Sequence, residues 1–312
     1  MASLDLLTPM QLAACAHSLG WTTTPSMTVL RNGVNLTYRV SADDGIWYLR
    51  VVDPRWRPAA TGVEEVAVVD ALRRAGAPIV PFRTAGPVAV VASPLRWALC
   101  CAAAPGALSD PPAVADCIRL GSGLAHLHLA GDGVKASVRP AADGVPEDPV
   151  QAMAPYWDLW PEAPDLPTLV ARLGQWCRDH PDDRGIIHGD AHNGNCAFAD
   201  DSVTFFDTEC VGWGPRSYDL AVVQTTWRRH LPHDADFAPR WQAFINGYAN
   251  VRPWSAATLA AIPACVALRR LWLLLVAARM PWRYEPARFQ ALGVDACTVL
   301  AAAVANHPEK FG

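Results

Sequence analysis

The sequence predicts an α+β protein of two lobes, a small antiparallel sheet carrying one helix followed by a larger, mainly helical part. Three observations carry this. Asn32-Gly33 and Asp44-Gly45 supply tight turns between three β-rich runs near the start. Beyond Gly106 the apolar residues switch to helical spacing. A length of 312 residues exceeds one small core and suits two lobes.

Taken in order, residues 5–20 read as a short helix. Thr28–Leu30, Leu36–Val40 and Ile46–Val52 are rich enough in β-branched and aromatic residues for strands. In "GVEEVAVVDALRRAG", Val66, Val69 and Leu72 fall near helical spacing, and Gly76 ends the helix. "PVAVVAS" and "RWALCCAA" read as two further strands, closed by Pro105-Gly106. This sets a first lobe at 1–104 and a second at 105–312. "VADCIRLGSGLAHLHLAG" repeats Cys117, Leu120, Leu124 and Leu127 on one helical face. Residues 131–167, rich in Pro, Gly and Asp, read as a long loop, and 168–180 as helix. From Tyr218 onward the chain reads as helices over 218–231, 238–250, 255–279 and 286–306.

Composition narrows the class. Hydrophobic residues make up 51% and charged residues 18%, which is a folded chain and not a disordered one. A net charge of −4 gives no basic excess for nucleic-acid binding. The lysines are Lys135 and Lys310, and the other basic residues are arginines, a bias expected of a GC-rich bacterial genome. Nine cysteines, an odd number with Cys100 and Cys101 adjacent and no CxxC pair, read as free thiols in a reducing cytosol. The N-terminus lacks a basic start followed by a long apolar run, so no signal peptide is expected. "LWLLLVAA" (Leu271–Ala278) is too short to span a bilayer and reads as a buried helix. A soluble, cytoplasmic protein with no membrane partner is expected.

The chemistry concentrates in "IIHGDAHNGNCAFADDSVTFFDTE". Asn195–Ala199 and Val203–Phe206 form a predicted hairpin around Asp200-Asp201. The hairpin sets Asp190 and Asn195 beside Asp207 and Glu209. A hard cation such as Mg²⁺ takes carboxylate and amide oxygens, which Asn195 and Asp207 supply. Asp190 remains as the carboxylate that can orient and deprotonate a hydroxyl. A zinc site on His188 and His192 needs a helix, which Gly189 and Gly194 break. A solvated acidic hairpin leaves the polar pattern unexplained.

"HGDAHNGN", the hairpin, "FFDTE" and then "GPRSYDLA" resemble the aminoglycoside phosphotransferase family, which includes choline kinase-like and homoserine kinase-like enzymes. The match is carried by His188, Asp190, Asn195, Asp207, Glu209 and Asp219. The resemblance implies a bilobal protein-kinase-like fold and an ATP-dependent transfer to an alcohol group, with GTP the alternative donor. It implies Asp190 as base, Asn195 and Asp207 as Mg²⁺ ligands, and His188, Glu209 and Asp219 in support, Asp219 as a buried brace. It places the nucleotide-covering loop at Asn32–Thr37, including Asn35, and puts Arg50 where protein kinases hold phosphates with lysine. Arginine suits phosphate and can grip it with two bonds. Glu65 or Glu64 is the expected partner of Arg50. The backbone around Ala98, Leu99 and Cys100, as far as Ala102, is expected at the adenine edge. No GxxxxGK[ST] is present, which excludes a P-loop.

The acceptor is less legible. From Tyr218 onward the acids are Asp219, Asp234, Asp236, Glu285, Asp295 and Glu309, and arginines outnumber them. That disfavours a polycation and allows a nucleoside antibiotic, a macrolide, a sugar or a small metabolite. By family analogy an antibiotic leads, ahead of homoserine, choline or a sugar. A bacterial Ser/Thr protein kinase and a non-catalytic nucleotide-binding protein are the competing classes.

Overall fold

The computed structural model describes residues 4–90, 95–138, 149–179 and 183–306. Helix α1 (Pro9–Ser18) is shorter than the predicted 5–20. Its start is set by Thr8, whose hydroxyl accepts from the Gln11 amide while the Gln11 side chain accepts from the Thr8 N–H; Pro9 fills the first turn. Strands β1 (Ser26–Asn32), β2 (Leu36–Ala42) and β3 (Gly45–Val52) follow, then α2 (Ala59–Arg74), β4 (Val88–Val90) and β5 (Arg96–Ala102). They form one antiparallel sheet in the order β1-β2-β3-β5-β4. The expected extension of β4 to residue 93 lies outside the described residues. One sheet face buries Leu36, Tyr38, Val40, Leu49, Val51, Ala98 and Cys100 with Cys15 and Ala16 of α1. Each fully buried aliphatic side chain there contributes roughly 1.5–3 kcal/mol.

The helical lobe contains α3 (Val114–Asp132), α4 (Pro149–Met153), α5 (Leu166–Asp179), α6 (Arg216–His230), α7 (Asp234–Ala249), α8 (Ala256–Ala260), α9 (Ile262–Arg279) and α10 (Pro286–Asn306). Two expectations need correction. The predicted loop 131–167 holds α4 and 3-10 turns at Ala136–Val138 and Ala154–Leu159, while 139–148 lie outside the described residues. Trp160 anchors it: the indole stacks on Phe289 at 5.0 Å and donates to its carbonyl at 2.9 Å. The predicted helix 255–279 is broken at Ala261, because Pro263 has no N–H and sits in the first turn of a new helix. Pro286–Ala305, in α10, is the one stretch among the described residues long and apolar enough to cross a membrane, and α10 packs on α5 and α9.

Four short strands carry the site. After β6 (Arg184–Ile187), the hairpin of β7 (Cys196–Ala199) and β8 (Ser202–Phe205) matches the prediction with ends shifted by one residue. Strand β6 itself pairs with β9 (Gly212–Pro215), a ladder the sequence reading missed. Chain from both sides of β5 clamps the hairpin. Ala107 and Phe198 exchange two backbone bonds of 3.0 and 2.9 Å, while Phe205 bonds Pro78 and Val80 at 2.8 and 3.0 Å. Gly106 permits the first clamp: its φ is +94°, and a Cβ would lie 2.0 Å from the Phe198 carbonyl oxygen. Helix α9 then crosses to the other lobe: its Trp272 and Val276, with Met280 just after its end, pack with Val52, Trp56, Val66, Trp97 and Leu99.

Candidate active site

Asp219, in the first turn of α6, is fully buried. Its Oδ2 accepts from the His188 N–H at 2.8 Å and faces His128 Nε2 at 3.0 Å, and its Oδ1 accepts from the Gly189 N–H at 2.8 Å. A carboxylate so supplied with donors is stabilised, and it fixes the loop after β6. His128 Nδ1 lies 2.7 Å from the Tyr248 hydroxyl, so a neutral ring donating from Nε2 satisfies both neighbours. Burial, with Arg216 and Arg252, holds His128 below the usual histidine range against the pull of Asp219. Gly189 makes the loop's turn at φ +78°, and a Cβ there would lie 2.3 Å from the Cys210 carbonyl oxygen.

His188 is fully buried. Its Nε2 lies 3.0 Å from the Phe206 carbonyl, and its Nδ1 accepts from the Asp190 N–H at 3.3 Å, which ties the loop before the hairpin to the loop after it. Asn193 fastens the same loop to the interlobe connection: its Nδ2 donates to Ser109 O at 2.9 Å, and Trp227 donates to its Oδ1 at 3.0 Å. On this mount Asp190 and Asn195 meet. Asn195 Nδ2 donates to Asp190 Oδ2 at 2.9 Å, and Arg269 of α9 pairs with Oδ1. Burial alone would push the Asp190 carboxyl up. Arg269, His192 and His188 outweigh it and hold the group below the usual carboxylate range, so Asp190 is ionised at neutral pH.

Asp207 follows the hairpin in the left-handed region, at φ 58° and ψ 59°, a conformation uncommon outside glycine. Among the described residues its one ion pair is a 3.5 Å contact with Arg50. Burial and the neighbouring Glu209 push its carboxyl up to about 7 against the pull of Arg50. A crowded carboxylate of this kind calls for a further cation. Asn195 spends its nitrogen on Asp190, which leaves its oxygen for that cation. Among the described residues no three His, Cys, Asp or Glu side chains converge as a metal cage. The donor set therefore fits a hard ion completed by phosphate oxygens and water, which is how Mg²⁺ binds in nucleotide sites.

The sheet supplies the opposite wall. Arg50 of β3 pairs with Glu65 of α2 at 2.5 Å, while Glu64 is exposed, so the structure selects Glu65. Thr208 Oγ1 donates to the other Glu65 oxygen at 2.7 Å, joining this pair to the loop of Asp207. Burial would weaken the charge on Arg50, but Glu65, Glu209 and Asp207 raise its pKa and keep it protonated. Asn35, expected at the phosphates, donates instead to Glu209 at 2.7 Å and so ties the covering loop to the other lobe. The expectation for Ala98, Leu99 and Cys100 is corrected. They are buried in mid-strand, Ala98 paired to both Val51 and Val88, and the Cys100 carbonyl accepts from the Arg83 N–H at 2.7 Å. Their main chain belongs to the sheet and offers the adenine no free edge; the chain leaves β5 only after Ala102.

Arg269 and Arg283 join the site without having been expected there from the sequence. Arg283 is buried and donates to the Val34 carbonyl at 3.1 Å, a second tie on the covering loop. Arg269 carried a readable signal: it stands four residues after Cys265 and three before Trp272, on the buried face of an apolar helix. An arginine in that phase needs a buried partner.

A five-stranded antiparallel sheet over a helical lobe, with the site between them, defines a protein-kinase-like phosphotransferase. Residues 27–254 match the model of the phosphotransferase enzyme family, APH, and the chain belongs to that family. It is an enzyme that transfers phosphate to hydroxyl groups. A homoserine kinase of Methylocella silvestris is 33% identical over 178 residues, 51% of this chain and 50% of that protein, so the match spans about half of each. Two solved structures share the fold with a TM-score of 0.70. The microcompartment-associated aminopropanol kinase is 20% identical, with 97% of this chain and 99% of that one covered. The amicoumacin kinase hAmiN, in complex with AMP-PNP, Ca²⁺ and Ami, is 17% identical, with 88% and 87% covered.

Proposed function

We propose that this chain is an ATP-dependent O-phosphotransferase that moves the γ-phosphate to a hydroxyl of a small molecule in the cytoplasm. The observation that carries it is the meeting of an ionised Asp190, braced by Asn195, with the cation-seeking Asp207 and the buried Arg50–Glu65 pair. Arg50 binds the phosphates of the nucleotide, and the chain after Ala102 meets the base. Asn195 and Asp207 hold Mg²⁺, which neutralises phosphate charge when bound. Asp190 accepts a hydrogen bond from the acceptor hydroxyl. The hydroxyl oxygen bonds to the γ-phosphorus, the bond from phosphorus to the β–γ bridging oxygen breaks, ADP leaves with its electron pair, and the hydroxyl proton passes to Asp190. Because Asp190 is a weak base, it acts mainly by orientation, which suits a loose transition state.

The names of the relatives suggest both metabolites and an antibiotic as acceptors. The scarcity of acids on α9 and α10 favours a small acceptor over a polycation. The test is ADP release from Mg-ATP in a coupled assay against aminoglycosides, nucleoside and peptide antibiotics, macrolides, choline and homoserine, with Asp190→Asn alongside. Stimulation by one class, reduced about 10²–10⁴-fold in the variant, supports the reading. Near-normal turnover in the variant removes Asp190 from its role. Phosphorylation of a protein substrate alone would favour a protein kinase.

A further inference from the structure

Strand β1 does not run straight into the covering loop. Val29 pairs with Tyr38 and Arg31 pairs with Thr37, so Leu30 is an extra residue without a partner in the ladder. A bulge of this kind re-aims the side chain that follows it. In an unbroken register Arg31 would oppose Leu36, whose side chain packs in the core with α1. The bulge gives that face to Asn32 instead, and the Asn32 amide bonds the Leu4 backbone there in two bonds of 2.8 Å. Arg31 is turned to the cleft. The register continues across the sheet, with Arg31 opposite Thr37 and Thr37 opposite Arg50. Cross-strand partners share a face, and Arg50 is the residue that reaches Glu65 and Asp207. Arg31 therefore stands on the phosphate face of the sheet, two strands out from Arg50.

Arg50 is held by carboxylates; Arg31 is exposed and, among the described residues, pairs with none. It lies beside the tip of the covering loop, where a Cβ on Gly33 would fall 3.2 Å from its Nε. A lone surface arginine is ordinary. This one is set apart by the bulge that turns it inward and by what lies near it. Its charge reaches His192, in the loop of Asp190. Burial, with Arg269, His188 and Arg31, holds that ring below the usual histidine range against the pull of Asp190. His192 Nδ1 accepts from the Gly194 N–H at 3.0 Å, so the neutral ring carries its proton on Nε2. That Nε2 lies 3.9 Å from Asp190 Oδ2 and has no hydrogen-bond partner among the described residues. A cation on the sheet side and an N–H on the catalytic loop suit an anion held beside Asp190. The anion that must approach the acceptor hydroxyl is the terminal phosphate.

We propose that Arg31 binds the terminal phosphate of the nucleotide from the sheet side, opposite the Nε2–H of His192, and so distinguishes the nucleoside triphosphate from the diphosphate that leaves. Arg50 grips the inner phosphates and Arg31 the one that is transferred. Once that group has moved, ADP no longer has this contact to hold it. The inference rests on the phosphotransferase reading above.

The test is calorimetric binding of Mg-AMP-PNP and of Mg-ADP to the full chain, which needs no acceptor. In Arg31→Gln the Kd for Mg-AMP-PNP should rise about 30-fold, the loss of a charge-assisted bond, and that for Mg-ADP less than about threefold. Arg31→Lys should recover part of the loss, because it keeps the charge and gives up the planar fork. Arg39 is exposed on the same face of β2, beside Ser41. Arg39→Gln removes the same charge and should leave both Kd values within about threefold of the parent. A general electrostatic role would weaken both nucleotides alike and would appear in Arg39→Gln as well. The proposal is overturned if Arg31→Gln weakens the two nucleotides equally, if it weakens neither, or if Arg39→Gln reproduces its effect. The parent separates the failures. Where it binds both nucleotides, an unchanged ratio in Arg31→Gln removes Arg31 alone; where it binds neither, the phosphotransferase reading falls too.

Discussion

Asp219 and Asp207 flank the same hairpin, and their surroundings are opposite. Asp219 faces two backbone N–H groups and an imidazole, with nothing left to bind. Asp207 faces one arginine at 3.5 Å and a neighbouring carboxylate that repels it. On the proposed reading the first aspartate serves the fold and the second holds back its charge for a ligand. Asp190 stands between them, one oxygen on Asn195 and the other on Arg269. Burial alone does not separate a structural aspartate from a functional one. The balance of donors around it does.

The largest effect expected is on transfer: Asp207→Asn should lower turnover by on the order of 10³-fold, measured as ADP release at saturating acceptor. Turnover within tenfold of the parent would break the comparison from that side. Next, Asp219→Ala leaves two buried N–H groups without an acceptor and should cost about 3–5 kcal/mol in denaturant unfolding. A loss below about 1 kcal/mol would mean that the loop does not depend on its brace. Glu65→Gln should weaken nucleotide binding about tenfold by calorimetry, since it leaves the Arg50 charge half-matched, whereas Glu64→Gln on the exposed face should change nothing measurable. Equal effects of the two would unseat the ion pair.

The smallest effect is a pH dependence. His128 is held below its unfolded value of about 6.5. Its contribution to stability is therefore complete above that pH and falls as the pH drops toward the folded value, because the unfolded chain then takes up the proton first. His128→Gln should flatten that part of the unfolding curve. A parent protein equally stable at pH 7 and pH 5 would argue against it.

The hairpin and the loop before it were legible because they are local: Asp190 through Glu209 spans one loop and one hairpin, with a turn at Asp200-Asp201 to mark it. The first sheet was legible through Asn32-Gly33 and Asp44-Gly45. The β6–β9 ladder was not, because its strands are four residues long, far apart in sequence and rich in glycine. Likewise the bonds of Arg269 to Asp190 and of Arg283 to Val34 join residues 79 and 249 positions apart, where no local pattern reaches. The adenine-edge expectation failed for a related reason. A strand's hydrophobic run shows that it is buried, but not that residues 81–83 return to occupy its free edge.

The most direct test of the division between the two aspartates is thermal melting of Asp207→Asn beside the parent, each with and without Mg-ADP. If Asp207 holds its charge for a cation, the variant should melt at or above the parent without ligand and lose most of the gain that Mg-ADP gives. A variant that melts several degrees lower and keeps the full Mg-ADP gain would contradict the account, making Asp207 a second structural brace.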